Sequence, residues 1–358
     1  METNEPKKLL SYSEVMARTK DSPKLILLGN GFSMSYNQDR FSFTDLLNSA
    51  IKSGIIDKDG PINKTFKQFK TTDFEAVIKA LEDANKVLTS YGLPTNKKFK
   101  EDANKLKEHL IKVITNNHPE KSTDLKLEEI ASCMNFIKVY KSVYTLNYDI
   151  LLYWVIMRAD EVFKDLKYPL FEDGFGNANK NSQSVIFRNE GGNSFSLHYL
   201  HGGLHLFNKG ADVAKLTFSK TETPLTSQIK TNLENDQYPV FISEGSAEAK
   251  KEKITHNPYL NHCYKSLSSI GTTLVIFGTE LKRNDEHIKS AIIESNCPQI
   301  FIGVGSADKI QNWSDFESKF LSKTPLISPA PKQRRVPMKR NIYYYDYHTV
   351  DVWGHNAK

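Results

Sequence analysis

The chain has 358 residues, a length typical of one large α/β domain or of two smaller ones. Its 48 basic and 42 acidic residues give a net charge of +6, which permits an anionic ligand but does not single out nucleic acid. No apolar run approaches the roughly 18 residues of a membrane-spanning helix, and an aromatic content of 11% argues against global disorder. We therefore expect a globular protein that does not enter a membrane.

The cysteines and the first residues bear on the cellular compartment. Cys133, Cys263 and Cys297 lie far apart and form no Cys-x-x-Cys pair, which excludes a four-thiolate zinc site within one chain. A sparse, odd set of cysteines fits a reducing compartment better than a disulfide framework. Residues 1–8 are polar and lack the apolar segment of a secretory signal. The sequence therefore predicts a cytoplasmic protein.

The first strong structural signal is an apolar strand that ends in a glycine-rich turn. Residues 24–28, Lys-Leu-Ile-Leu-Leu, are followed at 29–33 by Gly-Asn-Gly-Phe-Ser. This pattern is typical of a buried parallel strand that enters a tight turn before a helix. The turn either brings the backbone close to a phosphate or only connects strand and helix. The full dinucleotide fingerprint needs a third glycine where this sequence has Met34, so the dehydrogenase pattern is not met.

A long helical region follows this turn. Residues 73–138 carry apolar side chains at helical spacing, with breaks near residues 91–94 and 116–119. We interpret residues 52–138 as a helical insertion after the first strand.

Strand-like segments then resume and alternate with helical patterns. The predicted strands are residues 142–146, 197–200, 239–243, 273–277, 299–302 and 341–345. This alternation predicts an α/β fold, with a Rossmann-like, mostly parallel sheet that carries helices on both faces. We treat residues 1–358 as a single domain.

Two segments have the composition of loops. Residues 172–196 are rich in Gly, Asn and Ser. Residues 323–340 contain four prolines and six basic residues, and proline cannot join a central strand. We expect the second segment to be a solvated surface loop or linker, in preference to a nucleic-acid contact.

Three further motifs lie at predicted strand ends, where doubly wound sheets bind their ligands. The amide of Asn147 can hold a ligand or a water, whereas Asp149 either contacts a ligand or caps the next helix. His201, beside two glycines, offers an imidazole that can act as a base or bond a ribose hydroxyl. Gly278 and Thr279 suit a second phosphate contact.

The histidines also raise a metal site, which we do not favour. Residues 198 and 201 of a strand point to opposite faces, and the two glycines break any helical spacing between His201 and His205. We therefore expect no metal. Downstream, Asn284 or Asp285 is expected to cap a helix.

Taken in this order, the motifs resemble the sirtuin-like superfamily of NAD-consuming domains. The glycine turn of that family, Gly-Ala-Gly-x-Ser, is similar to residues 29–33. Its Asn-Tyr-Asp or Asn-Ile-Asp element is similar to residues 147–149, its His-Gly pair to 201–202, and its Gly-Thr or Gly-Ser turn to 278–279. The resemblance extends from about residue 24 to about residue 290 and covers the helical insertion poorly.

Two departures narrow the resemblance. Asn30 stands where the family has alanine, and the zinc-binding cysteine pairs of protein deacylases are absent. The chain is therefore more similar to the bacterial sirtuin-like domains of phage defence, which hydrolyse NAD. Phe74 and Glu75 also resemble a helix start that recurs in that group.

The resemblance implies an NAD+ glycohydrolase that yields ADP-ribose and nicotinamide and serves as an antiphage defence effector. It assigns catalysis to Asn147 and His201, with NAD as the substrate and no separate cofactor. The residues that it implies for NAD binding are Gly29, Asn30, Gly31, Phe32, Ser33, Asp149, Gly278 and Thr279. Since NAD loss is lethal, we expect control by homo-oligomerisation or by a partner protein of the defence system.

Two other functions remain open. The domain could be a non-catalytic module that senses NAD or ADP-ribose and controls a partner protein. It could instead transfer ADP-ribose to a macromolecule. Nucleic acid is not expected as a direct ligand.

Overall fold

The computed structural model describes residues 8–163, 171–176, 184–188, 196–217, 223–243, 246–324, 326–327 and 336–355. Within these residues the strands are β1 (Lys24–Leu28), β2 (Ser142–Thr145), β3 (Ser184–Ile186), β4 (Leu197–Tyr199), β5 (Gly202–Lys209), β6 (Asp212–Leu216), β7 (Pro239–Phe241), β8 (Thr273–Phe277), β9 (Gln299–Val304), β10 (Leu326–Ile327), β11 (Val336–Pro337) and β12 (Asn341–Asp346).

The α-helices of the described residues are α1 (Tyr12–Arg18), α2 (Gly31–Tyr36), α3 (Gln38–Phe41), α4 (Phe43–Lys52), α5 (Pro61–Gln68), α6 (Phe74–Ser90), α7 (Lys97–Asn117), α8 (Leu127–Ile137), α9 (Leu151–Met157), α10 (Leu225–Glu234), α11 (Ala247–His256), α12 (Pro258–Ser268), α13 (Glu286–Glu294) and α14 (Ser314–Ser322). Short 3-10 helices span Ser122–Asp124, Ala159–Glu161, Arg283–Asp285, Ala307–Trp313 and Tyr347–Thr349.

The centre of the fold is a six-stranded sheet in the order β12-β9-β8-β1-β2-β4. Every neighbouring pair in it is parallel. The chain builds outward from β1 through β2 to β4 and then returns to β8, β9 and β12 on the other side. This is the strand order of a doubly wound Rossmann-like sheet, and it places the topological switch point between β1 and β8. The predicted α/β fold class is confirmed.

The central strands are apolar because both of their faces are covered. All five residues of β1 and all five of β8 are buried. Strands of parallel sheets that are covered by helices on both faces consist mostly of continuous apolar runs, and such runs identified these strands in the sequence.

A second sheet differs from the prediction. Residues 239–241 form β7, but β7 joins an antiparallel sheet in the order β3-β6-β5-β7 and not the parallel one. The loop predicted at 172–196 was wrong for residues 184–186, which form β3 and pair with β6. Three residues among glycines and asparagines are too short a run to stand out in a sequence. The rest of that segment lies partly outside the described residues.

The chain between β1 and β2 is helical in its regular elements. Within the insertion predicted at 52–138 lie α5, α6, α7 and α8, and α6 packs against α7. Asp73 caps α6, and its carboxylate accepts hydrogen bonds from the backbone N–H groups of Glu75 and Ala76. The cap places Glu75 in the first turn of α6, where its side chain is buried.

The segment predicted as a surface loop at 323–340 contains a short antiparallel ladder of β10 and β11. Its basic residues 332–335 lie outside the described residues. Among the residues that the structure describes, no helix has both the length and the apolar character needed to cross a membrane.

Candidate functional site

Two glycine turns meet at the switch point between β1 and β8. The Gly31 N–H donates to the carbonyl oxygen of Gly278 over 2.8 Å, and Gly29 N–H donates to that of Phe277 over 2.9 Å. A Cβ atom on Gly31 would lie 2.5 Å from the Gly278 Cα atom. Gly278 itself has a φ of +72°, which side chains rarely adopt. The glycines are therefore required by a direct approach of one backbone to another.

This approach predicts a strong effect of the smallest possible side chain. Gly31→Ala is expected to destabilise the protein by about 1–3 kcal/mol, because the new methyl group meets backbone atoms that cannot rotate away. Gly271→Ala is the matched control, since its methyl group would meet nothing within 4 Å. Urea unfolding should leave the control within about 0.5 kcal/mol of the parent. Equal stability of the two variants would contradict the packing of the two turns.

Ser33, Asn147 and Asp149 form a buried hydrogen-bonded cluster beside these turns. Asn147 Nδ2 donates to Ser33 Oγ over 2.8 Å, and Ser33 Oγ donates to Asp149 Oδ2 over 2.5 Å. The other carboxylate oxygen of Asp149 accepts from the Leu151 N–H over 3.0 Å. Burial raises the pKa of Asp149, although its hydrogen bonds to Ser33 and Leu151 oppose the shift. Asp149 thus accepts one hydrogen bond from the start of α9 and another from Ser33.

One atom of this cluster has an unused bonding capacity. The amide oxygen of Asn147, Oδ1, is buried and has no hydrogen-bond partner among the described residues. A buried acceptor without a partner costs stability, about 1–3 kcal/mol in protein mutants. Such an atom is best explained by a ligand or water that bonds to it.

His201 lies between β4 and β5 and faces a second histidine. Its Nε2 atom is 3.0 Å from Nε2 of His287, and its ring stacks at 6.3 Å from the ring of Tyr148. Burial lowers the pKa of His201 well below its ordinary value, and the nearby Lys250 lowers it further. Burial, with the neighbouring His201, also lowers the pKa of His287. Both imidazoles are therefore neutral near pH 7.

The four predicted motifs share one cavity of about 1040 Å³ at the carboxyl ends of the parallel strands. The predicted site residues that line it are Gly29, Asn30, Gly31, Asn147, Asp149, His201, Gly278 and Thr279. The cavity is also lined by Gly303 near the end of β9, by Ser306 after it and by Tyr347 after β12, which sequence reasoning did not assign to a site. Its volume is at the upper end of the range of about 300–1,000 Å³ that is usual for ligand pockets.

Two predicted binding residues lie behind the cavity wall. The ring of Phe32 packs 5.1 Å from the ring of Trp353, whose indole N–H donates to the Phe32 carbonyl over 3.1 Å. Ser33 is fully buried and connects to the cavity through Asn147 and Asp149. These two residues therefore support the lining residues.

The histidines that flank His201 in sequence point elsewhere. His198 stacks on Tyr144 at 4.4 Å, and His205 stacks on Tyr153 at 4.8 Å. They belong to the packing around the strands.

Comparison with known protein families assigns the chain to one of them. The model of the family described as a domain of unknown function, DUF4917, matches residues 26–326. The chain belongs to the DUF4917 family. No curated protein matches it. The matched residues run from β1 to the start of β10 and contain all four motifs that line the cavity.

Sequence reasoning missed a buried charge cluster in this DUF4917 domain. Lys250 is fully buried, and its ammonium lies 2.7 Å from Glu75 Oε2 and 3.0 Å from Asp285 Oδ1. Burial lowers the pKa of Lys250, but the two carboxylates outweigh it and leave the pKa above that of an ordinary lysine. The hydroxyl of Tyr148 lies 2.9 Å from Glu75 Oε1. The cluster therefore ties α6 of the insertion to the strand ends.

The expected cap of α13 is confirmed in position only. Asp285 occupies the cap position but makes no side-chain cap hydrogen bond. Its carboxylate pairs with Lys250, and the amide of Asn284 donates to Glu75. The buried Lys250 of α11 outcompetes a weak local cap.

His118 is a further supporting residue that sequence reasoning treated only as a helix break. Its Nδ1 lies 3.0 Å from the carbonyl oxygen of Pro119, and its Nε2 accepts from the Ile150 N–H over 3.3 Å. These bonds need a neutral ring, and burial lowers the pKa of His118 to about 4. His118 thereby fixes the loop that carries Asn147 and Asp149.

Proposed function

We propose that this protein cleaves the bond between nicotinamide and ribose in NAD, with ADP-ribose and nicotinamide as products. The observation that carries the proposal is the convergence of four separate motifs on one cavity at the switch point of the parallel sheet. Their order along the chain is that of the sirtuin-like superfamily, whose members consume NAD.

The glycine turns suit the pyrophosphate. Gly29, Gly31 and Gly278 pack their backbones against one another and also line the cavity, and we place the pyrophosphate beside them. His201 and Tyr347 both line this cavity. The proposal places the nicotinamide ribose near Asn147 and His201 and the adenosine toward Ser306 and Tyr347.

The reaction makes modest demands on the protein. Nicotinamide leaves as a neutral base when it takes the electron pair of its bond to C1′, so its departure needs no strong acid. A water then bonds to C1′ and gives up one proton. The protein has to orient the ribose and admit that water, which is catalysis by positioning.

Asn147 and His201 have the chemistry for this positioning. The amide oxygen of Asn147 is a buried acceptor that a water or ribose hydroxyl can satisfy. His201 lines the same cavity, and its imidazole is neutral near pH 7 and can therefore accept a hydrogen bond. Asp149, bonded to Ser33, stands beside the nicotinamide amide in this proposal.

The cellular role is proposed on the resemblance alone. An NAD-cleaving domain of the bacterial defence type depletes NAD during infection and works in the cytoplasm. Self-association or a partner protein of the defence system then controls its activity.

NAD turnover over a range of protein concentrations tests the proposal. We expect equal amounts of nicotinamide and ADP-ribose, with a specific activity that rises as the protein associates. Binding heat without any product would instead indicate an NAD sensor. Labelled NAD that marks protein or nucleic acid, without free ADP-ribose, would indicate an ADP-ribosyltransferase.

A further inference from the structure

Three side chains meet beside the cavity, apart from the glycine turns. His201, His287 and Asp285 each offer one ligand atom, and these atoms all lie within 4.8 Å of one another. The Nε2 atoms of the two histidines are 3.0 Å apart, and His201 Nε2 is 3.9 Å from Asp285 Oδ1. His201 and His287 are buried, whereas Asp285 is partly exposed. We name these residues the His-His-Asp cluster.

We propose that the His-His-Asp cluster binds one divalent transition-metal ion of the zinc class. Two imidazoles and one carboxylate form the donor set of open zinc sites, in which a water or another ligand takes the fourth position. Zinc–nitrogen bonds of about 2.0–2.1 Å put two tetrahedral ligands about 3.3 Å apart. The distances of 3.0 and 3.9 Å fall on either side of that value, so small rotations bring both contacts to it.

The approach of the two histidines itself favours an ion. Two nitrogen atoms that face each other at 3.0 Å are compatible only if one donates a proton and the other accepts it. An ion between them would use the lone pairs of both rings and would add the Asp285 carboxylate as a third ligand.

The charges around the cluster permit a divalent cation. The Lys250 ammonium forms an ion pair with the Asp285 carboxylate, which is also the proposed ligand, and a second ion pair with Glu75 at 2.7 Å. Two carboxylates and one ammonium leave one negative charge. This surplus of negative charge favours a cation over an anion.

The cluster is reached from the cavity. His201 and Asp285 both line it, which gives an ion a route from solvent. An ion bound there occupies His201 Nε2. If NAD cleavage uses His201, as proposed above, the bound ion competes with that reaction, and this consequence alone rests on the proposed function.

The site is tested with tag-free protein and metal alone, without NAD. Equilibrium dialysis with Zn²⁺ is expected to give one ion per chain. His287→Ala is expected to weaken binding about 100-fold, the upper end of the loss seen even for outer-shell changes. His256→Ala is the matched control, because His256 is exposed on α11 and lies outside the cluster. Its affinity for Zn²⁺ should equal that of the parent.

A second variant keeps the test decisive if His287→Ala fails to fold. His287→Cys replaces the imidazole with a thiolate, which zinc-class ions also accept. With Co²⁺ it should add a thiolate-to-cobalt absorption band that the parent lacks, since the three native cysteines are buried and none belongs to the cluster. Absence of stoichiometric ion, unchanged affinity in His287→Ala, or no new band in His287→Cys would overturn the site.

The competition has its own readout. Zn²⁺ should inhibit nicotinamide release in the parent and much less in His287→Ala. Inhibition that is equal in both variants would overturn the competition. Because metal binding is measured without NAD, it stands or falls separately from the proposed NAD cleavage.

Discussion

Asn147→Ala is expected to lower nicotinamide release from NAD by at least about 100-fold, the loss that follows removal of one well-placed polar group in an active site. The physical reason is the position of its amide oxygen, which is buried beside the cavity and has no partner. A water or ribose hydroxyl held by this atom loses its orientation when the amide is removed. The measurement is the rate of nicotinamide release at saturating NAD.

The same change should leave the fold intact. Asn147 contributes one side-chain hydrogen bond to Ser33, which is worth about 0.5–1.5 kcal/mol. Its other polar atom is an orphan, so its removal carries no loss of a protein contact. Urea unfolding should therefore show a small decrease in the free energy of unfolding. A variant that is unfolded would make the kinetic loss a structural effect.

Asn312→Ala serves as the matched control. Asn312 is exposed in the 3-10 helix Ala307–Trp313 and does not line the cavity. It should keep the parent rate of nicotinamide release. Full turnover by Asn147→Ala, in a sample that folds, would refute the assignment of the site to this cavity.

The sequence predicted the parallel sheet because its strands have a simple cause. β1 and β8 are buried along their whole length and each ends in four consecutive apolar residues, and a glycine turn follows each of them. Once the strands are known, doubly wound topology brings their carboxyl ends together. The approach of Gly31 to Gly278 thus followed from strand order, although the two residues are far apart along the chain.

The contacts among the charged and histidine side chains beside the cavity could not be predicted from the sequence. They join elements that are far apart along the chain, and no local sequence pattern shows that these elements lie side by side. Glu75 lies in the insertion, Lys250 in α11 and Asp285 before α13. The Lys250 ammonium nevertheless contacts both carboxylates. His287 sits in a helix, where a histidine is usually part of the core. Only the packed chain shows that it faces His201.

The antiparallel sheet was missed for a related reason. β5 contains one histidine and two glycines among its apolar residues, so that its alternation is poor. Gly202 nevertheless has a physical role there: its φ is +83°, and a Cβ atom would lie 2.0 Å from the carbonyl oxygen of Val240. The glycine beside His201 is thus explained by strand pairing.

Lys250→Met is expected to destabilise the protein by about 3–5 kcal/mol. The change removes the ammonium that lies between Glu75 and Asp285 and leaves two carboxylates at a site with little water. Breaking a buried ion pair from one side is more costly than removing the pair, because the remaining charge has no partner. The measurement is the free energy of unfolding in urea at neutral pH.

The surplus negative charge makes a second change diagnostic. Glu75→Gln in the Lys250→Met background should recover part of the lost stability, since it removes one of the two unpaired carboxylates. In the parent, Glu75→Gln should instead destabilise, because Lys250 then loses its contact of 2.7 Å. The two single variants and the double variant form a double-mutant cycle, which gives the interaction free energy between Lys250 and Glu75.

An exposed ion pair provides the comparison that gives this result its meaning. Lys79 contacts Asp83 over 2.5 Å one turn along α6, but their side chains are 40% and 35% exposed. Solvent screens such a pair, so that Lys79→Met should change stability by no more than about 0.5 kcal/mol. If Lys250→Met were equally mild, the charges would not fasten the insertion to the strand ends. Glu75 and Asp285 would then be free to move away from His201, and the cavity would lack the rigid wall on which both proposed sites depend.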